Sequence, residues 1–422
     1  MDARGGGEVA RSWAFVMAGG AGSRLAPLTA ERCKPALPFG GRHRVVDFAI
    51  SNLLNAGLPS LDLLVQHRPE ALLRHVERAW PARPALGAPV QVLAATLDRP
   101  YRGTADAVRQ HLARVRASGA RQVAIFGADH IYRMDVAAML EAHAASGADV
   151  TIAVLPVPLR EASGFGVVEV DAARRILAFH EKPARPEPAA DHPGHALASM
   201  GNYVFSTEVL CDALARAQAE GGTDFGHDVL PALLAGGHRL MAYDFQHSPA
   251  PGACAEPRRY WRDIGTLDAY FAAHMDTLGA EAPFALDDAL WPIGALQPPA
   301  RARIDAHAEV TDCRLGDGAI VECALLDRTV AGDSVRIGRH AQLDHAVLMD
   351  GVRVGAGARL QRVIVDEGNA IPGGEVIGFD ARRDRARFPV SAGGIVVVPR
   401  GHFAGESQPA AQAFGPGRHA WA

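Results

Sequence analysis

The stretch WAFVMAGGAGSRL, residues 13–25, followed by Lys34-Pro35, decides how most of this chain is read. Its apolar half, residues 13–18, predicts a buried strand. The glycines that follow let the backbone turn sharply and bring its amide hydrogens against an anion with no Cβ in the way. Arg24 and Lys34 then add mobile positive charge. The loop is not a P-loop, because no Gly-Lys-Ser/Thr closes it, and it is not G-x-G-x-x-G. A glycine cluster alone is usually a turn or linker. The strand before it and the two cations after it turn the reading toward an anionic-ligand loop.

Outward from this loop, short β-rich runs alternate with helical patterns to about residue 280, the sequence form of an α/β sheet covered on both faces. Strands are predicted over residues 14–18, 61–66, 123–126 and 150–154. Val46, Ile50, Leu53 and Leu54 share one helical face that ends near Gly57, and Leu72, Leu73, Val76 and Trp80 share another. Thr104 is positioned to cap a third helix carrying Val108, Leu112 and Val115. The expected fold is one doubly wound, Rossmann-like α/β domain over residues 12–285. Ligands in such sheets sit beyond the carboxyl ends of the strands, so residues 19–24 and Asp129 are expected at one edge.

A Pro-rich passage, Trp291-Pro292 through Pro298-Pro299, breaks the pattern, and residues 286–302 read as a linker. Beyond it the period changes. Ile320, Ile337, Val354 and Ile371 recur at a spacing of roughly 17, as do Leu326, Leu343, Leu360 and Ile377, and Leu348 pairs likewise with Val365. Such near-hexapeptide repetition over residues 303–400 predicts a parallel β-helix, whose coils bury their apolar sides only by stacking. Plain antiparallel strands are the alternative that the regularity disfavours. The Gly-rich first dozen residues and the polar tail, residues 401–422, are expected to fray.

With 422 residues and 48% hydrophobic content the chain can bury a large core in two or three domains. A net charge of −4 supplies no global basic field, so a nucleic acid is excluded as partner and any phosphate binding must be local. Cys33, Cys211, Cys254, Cys313 and Cys323 are odd in number and form no CxxC, against a disulfide framework or a zinc site. No apolar run nears the roughly 20 residues of a membrane span, and the start lacks a signal-peptide core. A cytoplasmic location with no membrane partner is the expectation.

The pattern G-G-x-G-[ST]-R-L with a downstream K-P resembles the signature of sugar-nucleotide pyrophosphorylases. Arg44 to Ser51 (RVVDFAIS), Tyr101 to Ala107 (YRGTADA), Asp129-His130-Ile131-Tyr132, Glu181-Lys182-Pro183, Asp224-Phe225-Gly226 and Tyr260 to Thr266 (YWRDIGT) follow in the order found in the bacterial glucose-1-phosphate adenylyltransferase family. The resemblance runs from about residue 14 to about residue 399. It implies a nucleotidyltransferase domain followed by a left-handed β-helix, and a reaction that joins ATP to glucose 1-phosphate with Mg²⁺. It also implies a homotetramer under the control of anionic allosteric effectors.

That chemistry needs no strong general base, because the attacking phosphate oxygen is already ionised at neutral pH. Two polyanions must instead be aligned and the charge of the leaving diphosphate absorbed. On the resemblance, the Gly19, Gly20 and Gly22 amides with Arg24 and Lys34 clamp the triphosphate. Asp129 and Asp263 hold Mg²⁺ through hard oxygen ligands. Gln66 with Gly103 and Thr104 reads the base. Tyr101, Gly166, Glu181, Lys182 and Ser199 receive glucose 1-phosphate, with Asp228 as a further candidate. Arg32 and Arg44 are candidate anion contacts for an effector. Glu31 stands where enteric members carry an activator-binding lysine, which argues against fructose 1,6-bisphosphate as principal activator. The alternatives are a UTP- or dTTP-using relative, an acyltransferase built on the β-helix, for which four to five coils are too short, and a catalytically weak regulatory subunit.

Overall fold

The computed structural model describes residues 6–20, 22–81, 90–249, 259–294 and 300–403. Ala21, Cys254, Pro298, Pro299 and the expected frayed ends, residues 1–5 and 404–422, lie outside the described residues. Two compact units divide at Pro299/Ala300.

In the first unit, strand Ser12–Ala18 pairs in parallel with Leu61–Val65 on one side and Gln122–Gly127 on the other, and Val90–Ala94 extends the sheet beyond Leu61–Val65. The spatial order of these four strands is third, second, first, fourth in the chain. The order therefore reverses between Ser12–Ala18 and Gln122–Gly127, which opens a crevice at their carboxyl ends. Alternation along the strands feeds two cores. Ala14, Val16, Ala18, Leu61, Leu63, Ala124 and Phe126 face helices Val46–Asn55, Glu70–Ala79 and Val136–Ser146. Phe15, Leu64, Val123 and Ile125 face Leu112–Ser118 and Thr207–Glu220 on the opposite side.

Beyond Gln122–Gly127 the sheet turns antiparallel through His195–Ser206, which pairs with Gly166–Val170 and with Val150–Pro158. The strand expected over residues 150–154 runs on to Pro158, because His195 to Ala198 pair with Pro158 back to Leu155 across Pro156 and Pro158. A register shift between Ser199 and Tyr203 bulges this strand beside the crevice.

One expected element is corrected. The helix predicted from Thr104 through Val115 is two helices, Thr104–Arg109 and Leu112–Ser118, with Gln110 and His111 between them. Thr104 is the first helical residue and its side chain does not cap. The orphan N–H groups of Ala105 and Asp106 are taken by the Thr223 carbonyl, at 2.8 and 3.2 Å. This acceptor lies more than 100 residues away in the chain, so no local pattern announces it.

Asp47, buried in the first turn of Val46–Asn55, accepts hydrogen bonds from Arg44 N at 2.7 Å and Trp80 Nε1 at 2.9 Å, and meets His75 Nε2 at 2.7 Å. It ties two helices together. Burial pushes its carboxyl up, but His75 and His43 more than offset this and hold it down at about 2. Asp47→Ala strands all three partners and should cost about 3 kcal/mol, read as a lower urea midpoint. An unchanged midpoint would show the cluster to be energetically neutral.

His143 and His274 are buried, and loss of hydration drives their imidazoles down to about 4 and about 3 from an ordinary 6.5. Between 6.5 and these values the unfolded chain binds protons that the folded chain refuses. Stability should therefore fall as pH drops below about 6.5, with a further loss below 3.8 as Asp47 protonates. Denaturant midpoints measured from pH 7 to pH 3 test this, and a flat profile contradicts it.

The passage expected to be linker is anchored to the first unit as far as Gly294. Trp291 Nε1 donates to Asn52 Oδ1 at 3.0 Å, Asn55 Nδ2 to the Pro292 carbonyl at 2.9 Å, and Gly294 N to Ser51 Oγ at 2.9 Å.

The second unit is a stack of short parallel strands. One side is Arg303–Ile304, Ile320–Val321, Arg336–Ile337, Arg353–Val354 and Ala370–Ile371. Another runs through Glu309–Thr311, Leu325–Asp327, Gln342–Leu348, Arg359–Val365 and Val376–Ile377. Leu326, Leu343, Leu360 and Ile377 stack in register inside the coil, as expected, and so do Leu348 and Val365. Ile320 does not. It pairs with Arg336, and Val321 is the buried residue that stacks on Ile337. The step from Val321 to Ile337 is 16 residues, whereas those from Ile304 to Val321 and from Ile337 to Val354 are 17, and in a strand a one-residue shift exchanges the inner and outer faces. Asp312, Arg328, His345 and Arg362 share a positive φ of 43–51°, a left-handed corner repeated once per coil.

Candidate functional site

A cleft of about 560 Å³ opens at the carboxyl ends of the parallel strands. Gly19 and Gly20 enter it directly after Ser12–Ala18, Gln66 after Leu61–Val65, and Gly127 and Asp129 at the end of Gln122–Gly127. Lys34, Tyr101, Gly103, Thr104, Glu181 and Lys182 complete the part expected from sequence. Residues from six separate stretches therefore converge where the strand order reverses.

Gly22 stands back from the lining. It sits at φ 63° ahead of the short helix Ser23–Leu25, and its carbonyl accepts Thr29 Oγ1 at 2.9 Å. Its place is in the turn that follows the amide-bearing glycines. Lys34 opens the next short helix, Lys34–Ala36, and is buried. Its ammonium bridges Asp129 Oδ2 at 3.1 Å and Asp263 Oδ1 at 3.0 Å. Burial pushes the Lys34 ammonium down, but the two carboxylates outweigh it and its pKa is raised. The carboxyl of Asp129 is lowered: loss of hydration would raise it, while His130 and Lys34 together prevail. Its side chain is 42% exposed at the cleft, so that dehydration is partial and the neighbouring cations set the direction.

Asp263 arrives from a different direction. Strand Trp261–Asp263 pairs antiparallel with His130–Tyr132, setting Asp263 opposite His130, one residue from Asp129. A Cβ on Gly265 would lie 2.7 Å from Asp263 Oδ2 and 2.9 Å from an Arg24 guanidinium nitrogen. Only glycine leaves that space to the two charged groups. Arg24, itself exposed, thus joins the cluster from outside the lining.

At the other end, Gln66 Oε1 accepts Tyr101 N at 2.7 Å, leaving its amide NH₂ as a donor. Tyr101, expected at the sugar phosphate, lines the cleft beside Gln66. Its hydroxyl is shared between the Leu93 carbonyl at 3.2 Å and His111 Nε2 at 2.8 Å, and burial pushes it up to about 12. A Cβ on Gly103 would sit 2.5 Å from the Thr223 carbonyl oxygen, so this loop touches Thr223 backbone to backbone. Thr104 Oγ1 donates to Asp224 Oδ2 at 2.9 Å and accepts Phe225 N at 3.1 Å. Its hydroxyl latches one cleft wall to the other.

Glu181 and Lys182 stand side by side, the ammonium of Lys182 against Glu181 Oε1. Gly166 lies opposite Glu181 in the strand pairing. Lys182 holds φ 47° and its side chain is 61% exposed. Ser199 is buried behind the wall, where Oγ accepts Gly201 N at 3.2 Å; Gly201 and Tyr203 face the cleft in its place. Asp228 accepts Thr223 N at 2.6 Å and Asp224 N at 2.9 Å, and so shapes the turn. Arg32 is buried with Nε on the Leu28 carbonyl at 3.1 Å, and Arg44 is half-buried with its N–H on Asp47. Neither lines the cleft.

His130, Arg102, Tyr203, Asp224 and Phe225 line the cleft without having been assigned a role from sequence. Four of them carried a signal, since Arg102, His130, Asp224 and Phe225 stand in the stretches that resemble the family. Asp129, His130 and Asp263 each offer one ligand atom within 4.8 Å of the others. Two lowered or ion-paired carboxylates at this separation fit a hard divalent cation.

Residues 13–279 match the nucleotidyl transferase family, and residues 298–398 match the GlmU-like C-terminal hexapeptide family, which makes the second unit a β-helix of the left-handed type. The chain is 46% identical to a glucose-1-phosphate adenylyltransferase of Rhodococcus erythropolis over 92% of this chain and 97% of that one. It is 44% identical to one of Thermus thermophilus, over 92% and 98%, and 41% identical to one of a Shewanella species, over 92% and 94%. No helix among the described residues is long and apolar enough to cross a membrane. Likeness of this extent over both units, with the loop, the lysine and the carboxylates converging at one strand edge, makes the chain a member of the glucose-1-phosphate adenylyltransferase family of nucleotidyl transferases.

Proposed function

We propose that this chain converts ATP and α-D-glucose 1-phosphate to ADP-glucose and diphosphate, by in-line attack of the sugar phosphate on the α-phosphorus. The reading rests above all on one observation: glycine amides, Lys34, Asp129, Glu181 and Lys182 line a single cleft. Gly19 and Gly20 direct amide hydrogens at the triphosphate, and Arg24 and Lys34 neutralise it. The Gln66 amide, oriented by Tyr101 N, donates to an acceptor on the base edge. Lys182 receives the sugar phosphate and Glu181 its hydroxyls. Asp129 and Asp263 would hold Mg²⁺, which supplies charge neutralisation at the reacting phosphates. The Lys34 ammonium, between these two carboxylates, holds them together. No residue is asked to act as a strong base.

The product suits α-glucan synthesis in the cytoplasm, and a homotetramer controlled by anionic effectors completes the reading. Diphosphate release from ATP, UTP and dTTP, each with glucose 1-phosphate and Mg²⁺, tests it. Turnover should be fastest with ATP, and a preference for UTP or dTTP overturns the adenylyl assignment.

Glu31 is exposed, and its charge opposes a sugar bisphosphate. Glu31→Lys should increase activation by fructose 1,6-bisphosphate several-fold, while identical activation curves remove Glu31 from effector recognition.

A further inference from the structure

We infer that His130 is a third protein ligand of the divalent cation proposed above, and that it biases the site toward Mn²⁺ over Mg²⁺. The inference rests on the reading that Asp129 and Asp263 hold such an ion. Register is the first reason. In the two-stranded ribbon of His130–Tyr132 and Trp261–Asp263, His130 and Asp263 are direct cross-strand partners, so their side chains leave the same face about 5 Å apart. Asp129 precedes His130, and all three donors fall within 4.8 Å of one another.

The second reason is that the imidazole is poorly satisfied as it stands. Its Nε2 faces Asp129 Oδ1 at 3.5 Å, too long for a good hydrogen bond. Its Nδ1 is buried without a hydrogen-bond partner among the described residues. A buried polar atom left in this way is destabilising and calls for a reason. Packing alone does not supply one, because an apolar ring would fill the same space at no such cost.

The third reason is restraint. Trp261 lies against the imidazole, with ring centroids 4.9 Å apart and planes tilted by 41°. The ring edge is also close to Gly127 and Gly201, where a Cβ would come within 3.5 and 3.9 Å of Cε1. The imidazole is therefore held beside the carboxylate pair and does not sweep through solvent, which is the pre-organisation a ligand needs.

A donor set of two carboxylates and one imidazole differs in preference from a set of oxygens alone. Mg²⁺ favours oxygen ligands and retains its waters, whereas imidazole strengthens binding along the series toward later transition metals. Mn²⁺ should consequently bind this site more tightly than Mg²⁺, and the difference should reside in His130.

The test uses the full chain labelled with ¹⁵N at histidine, with Mn²⁺ and ATP but no glucose 1-phosphate. Pulsed EPR should show a histidine ¹⁵N coupled to the bound Mn²⁺. His130→Gln, checked for an unchanged melting temperature, should lose that coupling. It should also weaken Mn²⁺ by about tenfold while moving Mg²⁺, measured by competition, less than threefold. Mn²⁺ bound in an Asp129-dependent way without histidine coupling would overturn the role of His130 and leave the proposed activity standing. An equal Mn²⁺ to Mg²⁺ preference in the wild-type and His130→Gln proteins would overturn it too. Mn²⁺ binding that ignores Asp129→Asn would sink the carboxylate site and this inference together.

Discussion

Asp129→Asn should lower kcat on the order of 10³-fold, about 4 kcal/mol of lost transition-state stabilisation, with the fold retained. Asparagine preserves the shape of the side chain and removes its charge. Three consequences follow at once from the geometry. The carboxylate pair loses half of its negative charge, so a dication is held by Asp263 with little help. Lys34, whose ammonium now spans Asp129 and Asp263, is left with one anchor. The polarity of the cleft at the diphosphate end shifts toward excess positive charge, which favours ground-state nucleotide binding over charge migration. ATP should accordingly bind about as well as before while turnover collapses. Diphosphate release and circular dichroism on the same preparation check this, and near-normal turnover would remove Asp129 from the reacting centre.

Lys182→Ala should raise KM for glucose 1-phosphate about 100-fold and leave KM for ATP within about threefold. The side chain is exposed, its ammonium meets the neighbouring Glu181, and its backbone is held at φ 47° by Lys182 N donating to the Phe165 carbonyl at 3.1 Å. Such an ammonium is available to a phosphate, and removing it disturbs no buried contact. The defect should be confined to one substrate for that reason. Weaker ATP binding with unchanged affinity for the sugar phosphate would reverse the assignment of the two subsites.

Lys34 and Lys182 share the cleft but differ in kind. Lys34 is buried and locked between carboxylates, while Lys182 is exposed beside a single carboxylate, Glu181. Sequence reading gave both the same standing, as cations beside conspicuous motifs, since burial of a lone lysine leaves no local trace.

The strand and glycine turn were legible because their information is local. Six apolar residues followed by glycines permit few backbone paths, and period-two alternation along residues 13–18 assigns side chains to two faces before any partner is known. The coil repeat was legible for a related reason, since each turn must present apolar residues at the same angle as its neighbours. Its failure at Ile320 came from assuming one period throughout, when the step from Val321 to Ile337 is one residue shorter than those on either side of it. Thr104 was misread as a cap because threonine ahead of a helical run normally is one; here the Thr223 carbonyl had already taken the amides. Tyr101 and Ser199 stand in stretches that resemble the family, yet their hydroxyls point into the fold, a direction that spacing does not encode.

By itself the sequence determined the layered α/β unit, the coiled second unit and the position of the phosphate loop, because backbone sterics and apolar periodicity act over a few residues. Tertiary structure alone decided that Asp263 meets Lys34 across 229 residues, that His130 faces Asp263, and that Gln66 is oriented by Tyr101. Those contacts depend on strand register and on which chain segments share an edge. Both are settled by the packing of the whole sheet, where a shift of one residue would aim the same side chains away from the cleft.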